Sequence, residues 1–99
     1  MSRLALITGG AQGIGEAIVR RLAADGDDII IADLQGGLAT EVADQVAKEH
    51  GVAASAIEVD VSDAAAVAAM AERVHEEHGA LDVLVNDAGL MLRGCKIRK

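Results

Sequence analysis

Four short apolar runs, separated by three amphipathic stretches, limit what this sequence can fold into more than any other feature. The runs are residues 4–7, 29–32, 56–61 and 81–85, each four to six residues long and rich in Ile, Val or Leu. Runs of this length suit strands buried on both faces, as inside a parallel sheet. The first helical stretch places Ile14, Ile18 and Leu22 four apart with Ala17 alongside, and Gly26 stops it. The second, residues 38–50, sets Leu38, Val42 and Val46 on one face and ends at Gly51. The third opens at Ser62 as N-cap with Asp63 in its first turn. It carries Val67, Met70, Ala71 and Val74 on one stripe and ends at Gly79. Polar caps at the start and glycines past the end are the usual helix punctuation.

The order is therefore βαβαβαβ, which predicts an α/β fold with a parallel sheet covered by helices. Right-handed crossovers arrange its four strands as 3-2-1-4, the first half of a doubly wound sheet plus one strand. The outer edge of strand four is then unpaired, and self-association through that exposed edge is expected.

At 99 residues the chain is one domain at most. Residues 1–90 read as the folded body and residues 91–99 as a basic C-terminal tail. The body carries all sixteen Asp and Glu against five Lys and Arg, while the tail holds Arg93, Lys96, Arg98 and Lys99. An acidic body disfavours nucleic acid as a partner. No apolar stretch approaches the ~20 residues that cross a bilayer, so no membrane partner is expected. Cys95 is the single cysteine, which fits a reducing compartment, and a cytoplasmic protein is the expectation. With no Phe, Tyr or Trp, the core rests on Leu, Ile, Val, Met and Ala, and a weakly stable core is expected.

The sequence Thr8-Gly-Gly-Ala-Gln-Gly-Ile-Gly15 lies between the first apolar run and the first helical pattern. A helix N-terminus there offers unpaired backbone N–H groups and partial positive charge, a setting suited to a pyrophosphate. Glycine lets such a ligand reach the main chain. Asp33 ends the second run, eighteen residues after Gly15. A carboxylate at that strand tip accepts hydrogen bonds from an adenosine ribose and repels a 2′-phosphate. Neither Lys nor Arg stands at Gln12, Leu34 or Gln35, so NAD is expected over NADP. Asp60-Val61 closes the third run, placed for an adenine, and Asn86-Asp-Ala-Gly89 closes the fourth. All four sites fall at carboxyl ends of strands, the rim where open α/β sheets bind ligands.

With these motifs the chain resembles the NAD-using branch of the short-chain dehydrogenase/reductase family. Thr8-Gly9-Gly10-Ala11-Gln12-Gly13-Ile14-Gly15 matches that family's T-G-x-x-x-G-I-G, and Asn86-Asp87-Ala88-Gly89 is similar to its N-N-A-G. The resemblance implies a truncated Rossmann-like doubly wound sheet and a cofactor-binding role for Gly9, Gln12, Gly13, Ile14 and Gly15. It assigns Asp33 to cofactor selection and Asp60 and Val61 to the adenine. Asn86 would steady the central strand, with Ala88 and Gly89 along the adenosine ribose. Asp87 departs from the pattern and adds a negative charge near the dinucleotide. The family moves a hydride between nicotinamide and an alcohol or carbonyl. Its catalytic Ser and Tyr-x-x-x-Lys have no counterpart in these 99 residues, so no catalytic residue is nominated and the chain alone is expected to be inactive.

Two other readings stand beside this one. A non-catalytic adenine-dinucleotide-binding module needs the same rim. A methyltransferase-like domain also puts acids at the ends of strands two and three, but the glycine spacing and the Asn-x-Ala-Gly strand end argue against it. His75 and His78 are three apart rather than the four of H-E-x-x-H, and with His50 they read as last-turn residues favoured by the helix dipole. No metal site is expected.

Overall fold

Ile29, Ile30 and Ile31 follow one another in the chain and all three are buried, although successive strand side chains point to opposite faces. Such a strand needs a layer on each side. The computed structural model describes residues 3–60, 62–79 and 81–86 and supplies both layers. Its elements run β1 (Leu4–Thr8), α1 (Gly13–Ala24), β2 (Asp28–Asp33), α2 (Gly36–His50), β3 (Ala54–Glu58), α3 (Ala64–His78) and β4 (Val83–Asn86). The strands pair in parallel in the order β3-β2-β1-β4, as right-handed crossovers require.

One core lies between the sheet and the helix pair α1 and α2, with Ile7, Val19, Ile29, Ile31, Val42 and Val46 at its centre. The other lies under α3, where Leu6 and Ile30 meet Val67, Met70 and Val74. Burying each Leu, Ile or Val stabilises the fold by about 1.5–3 kcal/mol. Alanines at 5, 23, 39 and 43 fill the first core between the larger side chains. Among the described residues no buried side-chain nitrogen or oxygen lacks a partner.

Carboxylates hold the amino-terminal ends of the strands, Asp27 and Asp82 among them. Asp27, only 3% exposed, accepts Arg3 Nε at 3.0 Å and Nη2 at 2.9 Å, fastening the start of β1 to that of β2. The hydrogen bonds to Asp27, and then its charge, raise the Arg3 pKa above its ordinary value. Asp82 Oδ2 accepts the Leu4 backbone N–H at 2.8 Å, and the Asp82 N–H reaches Leu4 O at 3.0 Å. These bonds set the register in which Ala5 faces Val83.

Several local expectations are corrected. The third strand is Ala54–Glu58 rather than residues 56–61, because its register follows β2 from Ile29 opposite Ala54 to Asp33 opposite Glu58. Its small leading residues carry little apolar signal. It is also half exposed rather than buried on both faces, as befits an edge strand. The fourth strand starts at Val83, not residue 81, since Asp82 is engaged with Leu4. Helix α2 begins at Gly36, two residues ahead of Leu38. On α1 the buried face is Gly15, Val19 and Ala23. Ile18 and Leu22 flank it partly buried, whereas Ile14 is 72% exposed and Ala17 is exposed. Small side chains let α1 approach the sheet, so the bulkier stripe lies to one side. The N-cap of α3 is Asp63, whose carboxylate accepts the N–H groups of Ala65 and Ala66, not Ser62. The boundary at residue 90 and the tail 91–99, with Cys95, lie outside the described residues.

Candidate functional site

The chain leaves β1 at Thr8 and enters α1 at Gly13, so the intervening loop lies at the carboxyl ends of the strands. The Gly9 N–H donates to Ala32 O at 2.7 Å, pinning this loop to the end of β2. Gly13 has φ +63, a left-handed conformation costly for residues with a Cβ. A Cβ placed there meets nothing within 4 Å, so the main chain is open to a ligand. Gly10 has the opposite role. A Cβ at Gly10 stands 3.0 Å from Cγ2 of both Ile31 and Val19, so its lack of a side chain seats the loop on the core.

Gln12 is the N-cap of α1 and makes no side-chain cap bond. The first intrahelical donor is the Glu16 N–H, bonded to Gln12 O at 3.3 Å. The N–H groups of Gly13, Ile14 and Gly15 precede any helical acceptor, which leaves a positive helix end for an anion. Gly15 is buried, whereas Gln12 and Ile14 are exposed.

Asp33, the last residue of β2, is 8% exposed. Its Oδ2 accepts the Ala11 N–H at 3.2 Å and its Oδ1 the Gln35 N–H at 2.9 Å. One carboxylate therefore joins the glycine loop to the approach of α2. Asp60 lies two residues beyond β3 and is exposed, with Oδ1 accepting the Ser62 N–H at 3.0 Å and its Oγ–H at 2.6 Å. The Ser62 hydroxyl first, then its backbone N–H, holds the Asp60 carboxyl below its ordinary pKa. Asn86 ends β4 opposite Thr8, on the same rim. Val61, Asp87, Ala88 and Gly89 lie outside the described residues.

Two rim residues have no distinctive signature in the sequence. Leu34 is 60% exposed beside Asp33, and with Ile14 it is one of the exposed large hydrophobic residues of the described chain. Both lie next to polar parts of the rim, where a planar or apolar ligand surface would cover them. Glu58 ends β3 opposite Asp33 and packs on Gly36, a contact that the sequence alone does not show. Among the described residues no group of three or more His, Cys, Asp and Glu is placed to hold a metal. None of the described helices is long and apolar enough to cross a membrane.

Residues 3–98 match the sequence profile of the short chain dehydrogenase family. The chain belongs to that family. Among the curated relatives of this short-chain dehydrogenase chain, galactitol 2-dehydrogenase from Agrobacterium fabrum is 42% identical over 89 residues, 90% of the chain and 33% of the relative. L-Sorbose reductase from Gluconobacter frateurii, solved with NADPH and L-sorbose, superposes with a TM-score of 0.82 at 35% identity. That match covers 90% of the chain and 34% of the reductase. An alcohol dehydrogenase from Thermococcus sibiricus, solved with 5-hydroxy-NADP, gives a TM-score of 0.79 at 34% identity, covering 85% of the chain and 36% of that enzyme. The chain spans about a third of the length of these relatives. The fold is thus the Rossmann-like α/β fold of the family, whose members bind nicotinamide dinucleotides. Since these two structures carry NADP-type cofactors, membership alone does not select NAD.

Proposed function

We propose that this chain is the NAD(H)-binding part of a short-chain dehydrogenase/reductase. The observation that carries the reading is the Asp33 carboxylate, buried at the rim and bonded to both the glycine loop and the start of α2. The local geometry fits a dinucleotide. The space over Gly13 is open, the first N–H groups of α1 are free of helical acceptors, and an acid stands where a ribose hydroxyl would donate. Gly9, Gln12, Gly13, Ile14 and Gly15 would hold the pyrophosphate, and Asp33 the adenosine ribose. Asp60 and Val61 would face the adenine, and Asn86, Ala88 and Gly89 would complete the ribose side. The preference for NAD follows from charge: Asp33 repels a 2′-phosphate, and neither Lys nor Arg occupies Gln12, Leu34 or Gln35.

The bound nicotinamide would supply or accept a hydride, exchanged with an alcohol or carbonyl substrate. The chain's own residues bind and orient it. A proton donor within reach of the substrate oxygen is also required, and the 99 residues contain no tyrosine. The 99-residue polypeptide is therefore expected to bind NADH saturably and to show no turnover. On the same reading the protein works in the reducing cytoplasm, and the edge of β4 that has no partner strand among the described residues pairs with a second copy, giving dimers or larger species in sedimentation. Calorimetric titration with NADH, beside an assay with a panel of alcohols and ketones, tests the reading. Binding abolished by Gly13→Val, without turnover, supports it. Absence of binding at millimolar NADH overturns it, and turnover above a matched blank removes its claim of inactivity.

A further inference from the structure

Glu58 is the last residue of β3 and stands opposite Asp33 in the parallel register. The Val59 N–H continues that pairing to Asp33 O at 3.1 Å. Neighbouring strands lie about 4.8 Å apart, and residues opposite one another in register present their side chains to the same face. Two acids therefore stand side by side at the tips of neighbouring strands, on the face covered by α2.

The start of α2 meets the second of them. A Cβ added at Gly36 would fall on Glu58, 2.8 Å from its Cβ and 3.1 Å from its Cγ, with Oε1 nearer still. The Glu58 carboxylate thus rests directly on the first residue of α2. Besides Asp33, whose Oδ1 accepts the Gln35 N–H, that end of the helix carries no acid of its own. Its N-cap, Gln35, makes no side-chain cap bond, and its first turn contains no acid. A carboxylate there is favoured by the helix dipole. Neither Lys nor Arg occurs in residues 33–38 or 58–60 to offset it.

We infer that Glu58 is a second determinant of cofactor choice, placing the chain's own anion where a cofactor's 2′-phosphate would approach the start of α2. This rests on the dinucleotide reading above. Asp33 receives the ribose, and Glu58 adds a fixed negative charge beside the ribose hydroxyl that a 2′-phosphate modifies. Gly36 is required so that the carboxylate can sit against the helix. An NAD ribose carries no charge at this position and is indifferent to Glu58. A 2′-phosphate, bearing about −1.5 to −2 charges at neutral pH by analogy with other phosphomonoesters, has to displace it or bind beside it.

The test is titration of the 99-residue chain and its Glu58→Gln and Glu58→Asp variants with NADH and with NADPH. Titrations run at about 0.1 M and about 1 M salt, where the Debye length falls from about 10 Å to about 3 Å. Glu58→Gln keeps the shape and removes the charge. It is expected to tighten NADPH about fivefold at the lower salt, an order-of-magnitude figure for one charge beside another near a protein surface. NADH affinity should stay within about twofold, and the NADPH gain should shrink at the higher salt, as screening requires. Glu58→Asp retains the charge and should keep NADPH weak. Unchanged NADPH affinity in Glu58→Gln, an equal change for both cofactors, or an equal gain in Glu58→Asp overturns the inference while NADH binding by the parent leaves the cofactor reading intact. A parent chain that binds neither dinucleotide overturns both.

Discussion

The Asp33 carboxylate accepts the Ala11 backbone N–H across 3.2 Å, so the tip of β2 and the glycine loop form one hydrogen-bonded unit. Its other oxygen takes the Gln35 N–H. Asp33→Ala leaves both donors without that acceptor, the one at Ala11 in a buried setting. The expected loss of stability is about 1–3 kcal/mol, read as a lower urea midpoint at unchanged slope. Asp33→Asn keeps one acceptor oxygen and should fall between. Equal midpoints for parent and Asp33→Ala would mean that the carboxylate does not tie the loop down.

Two glycines of the loop fail differently when given a side chain. Gly10→Ala drives a methyl group against Ile31, Val19 and Ile7, an overpacking cost of about 1–3 kcal/mol. Gly13→Ala meets no neighbour but holds alanine at φ +63, costing about 1–2 kcal/mol. Asparagine tolerates that conformation better than alanine, so Gly13→Asn should recover part of the loss, while Gly10→Asn should be worse than Gly10→Ala. Denaturation of the four variants checks the pattern, and the reverse ranking would contradict it.

At the start of α3 the cap is Asp63, and Ser62 serves the turn before it. Asp63→Ala is expected to cost about 0.5–2 kcal/mol. Ser62→Ala should leave the helix cap intact, because Asp63 alone receives the Ala65 and Ala66 N–H groups. A larger loss for Ser62→Ala, measured by urea denaturation, would restore serine as the cap.

Ser62 instead governs the titration of Asp60. Its hydroxyl and N–H hold that carboxyl below the ordinary value of 3.8. A lowered folded-state pKa contributes stability that is present above the unfolded value and is lost as pH falls through the folded one. Ser62→Ala removes the stronger donor and leaves the backbone N–H, so the Asp60 pKa should rise towards 3.8 without passing it. Carbon-detected NMR titration of the carboxyl measures the shift, and an unmoved curve would contradict the assignment.

How far the fold is legible in the sequence varies with the element. The consecutive isoleucines of β2 and the Val67, Met70, Ala71 and Val74 stripe of α3 mark their burial plainly, the first as a short β-branched run and the second by its helical spacing. Strand β3 is displaced because its limits depend on pairing with β2, a long-range property that its own alanines do not encode. On α1 the bulky Ile14 misleads, since the sheet accepts the small Gly15, Val19 and Ala23 instead. Within the site, Asp33 is legible because a lone acid ends an apolar run a set distance after the glycines. Glu58 is not, since its place against Gly36 arises only when two strands and a helix come together.

Backbone amide NMR during an NADH titration tests the central claim most directly, because it reports where the ligand sits on the chain. The N–H resonances of Ala11, Gly13, Ile14 and Gln35 should shift saturably with a single dissociation constant. Those at the opposite ends of the strands, among them Asp28 and Ala53, should stay in place. Saturable shifts centred on Asp28, Ala53 and Asp82, with the glycine loop unmoved, would contradict the account.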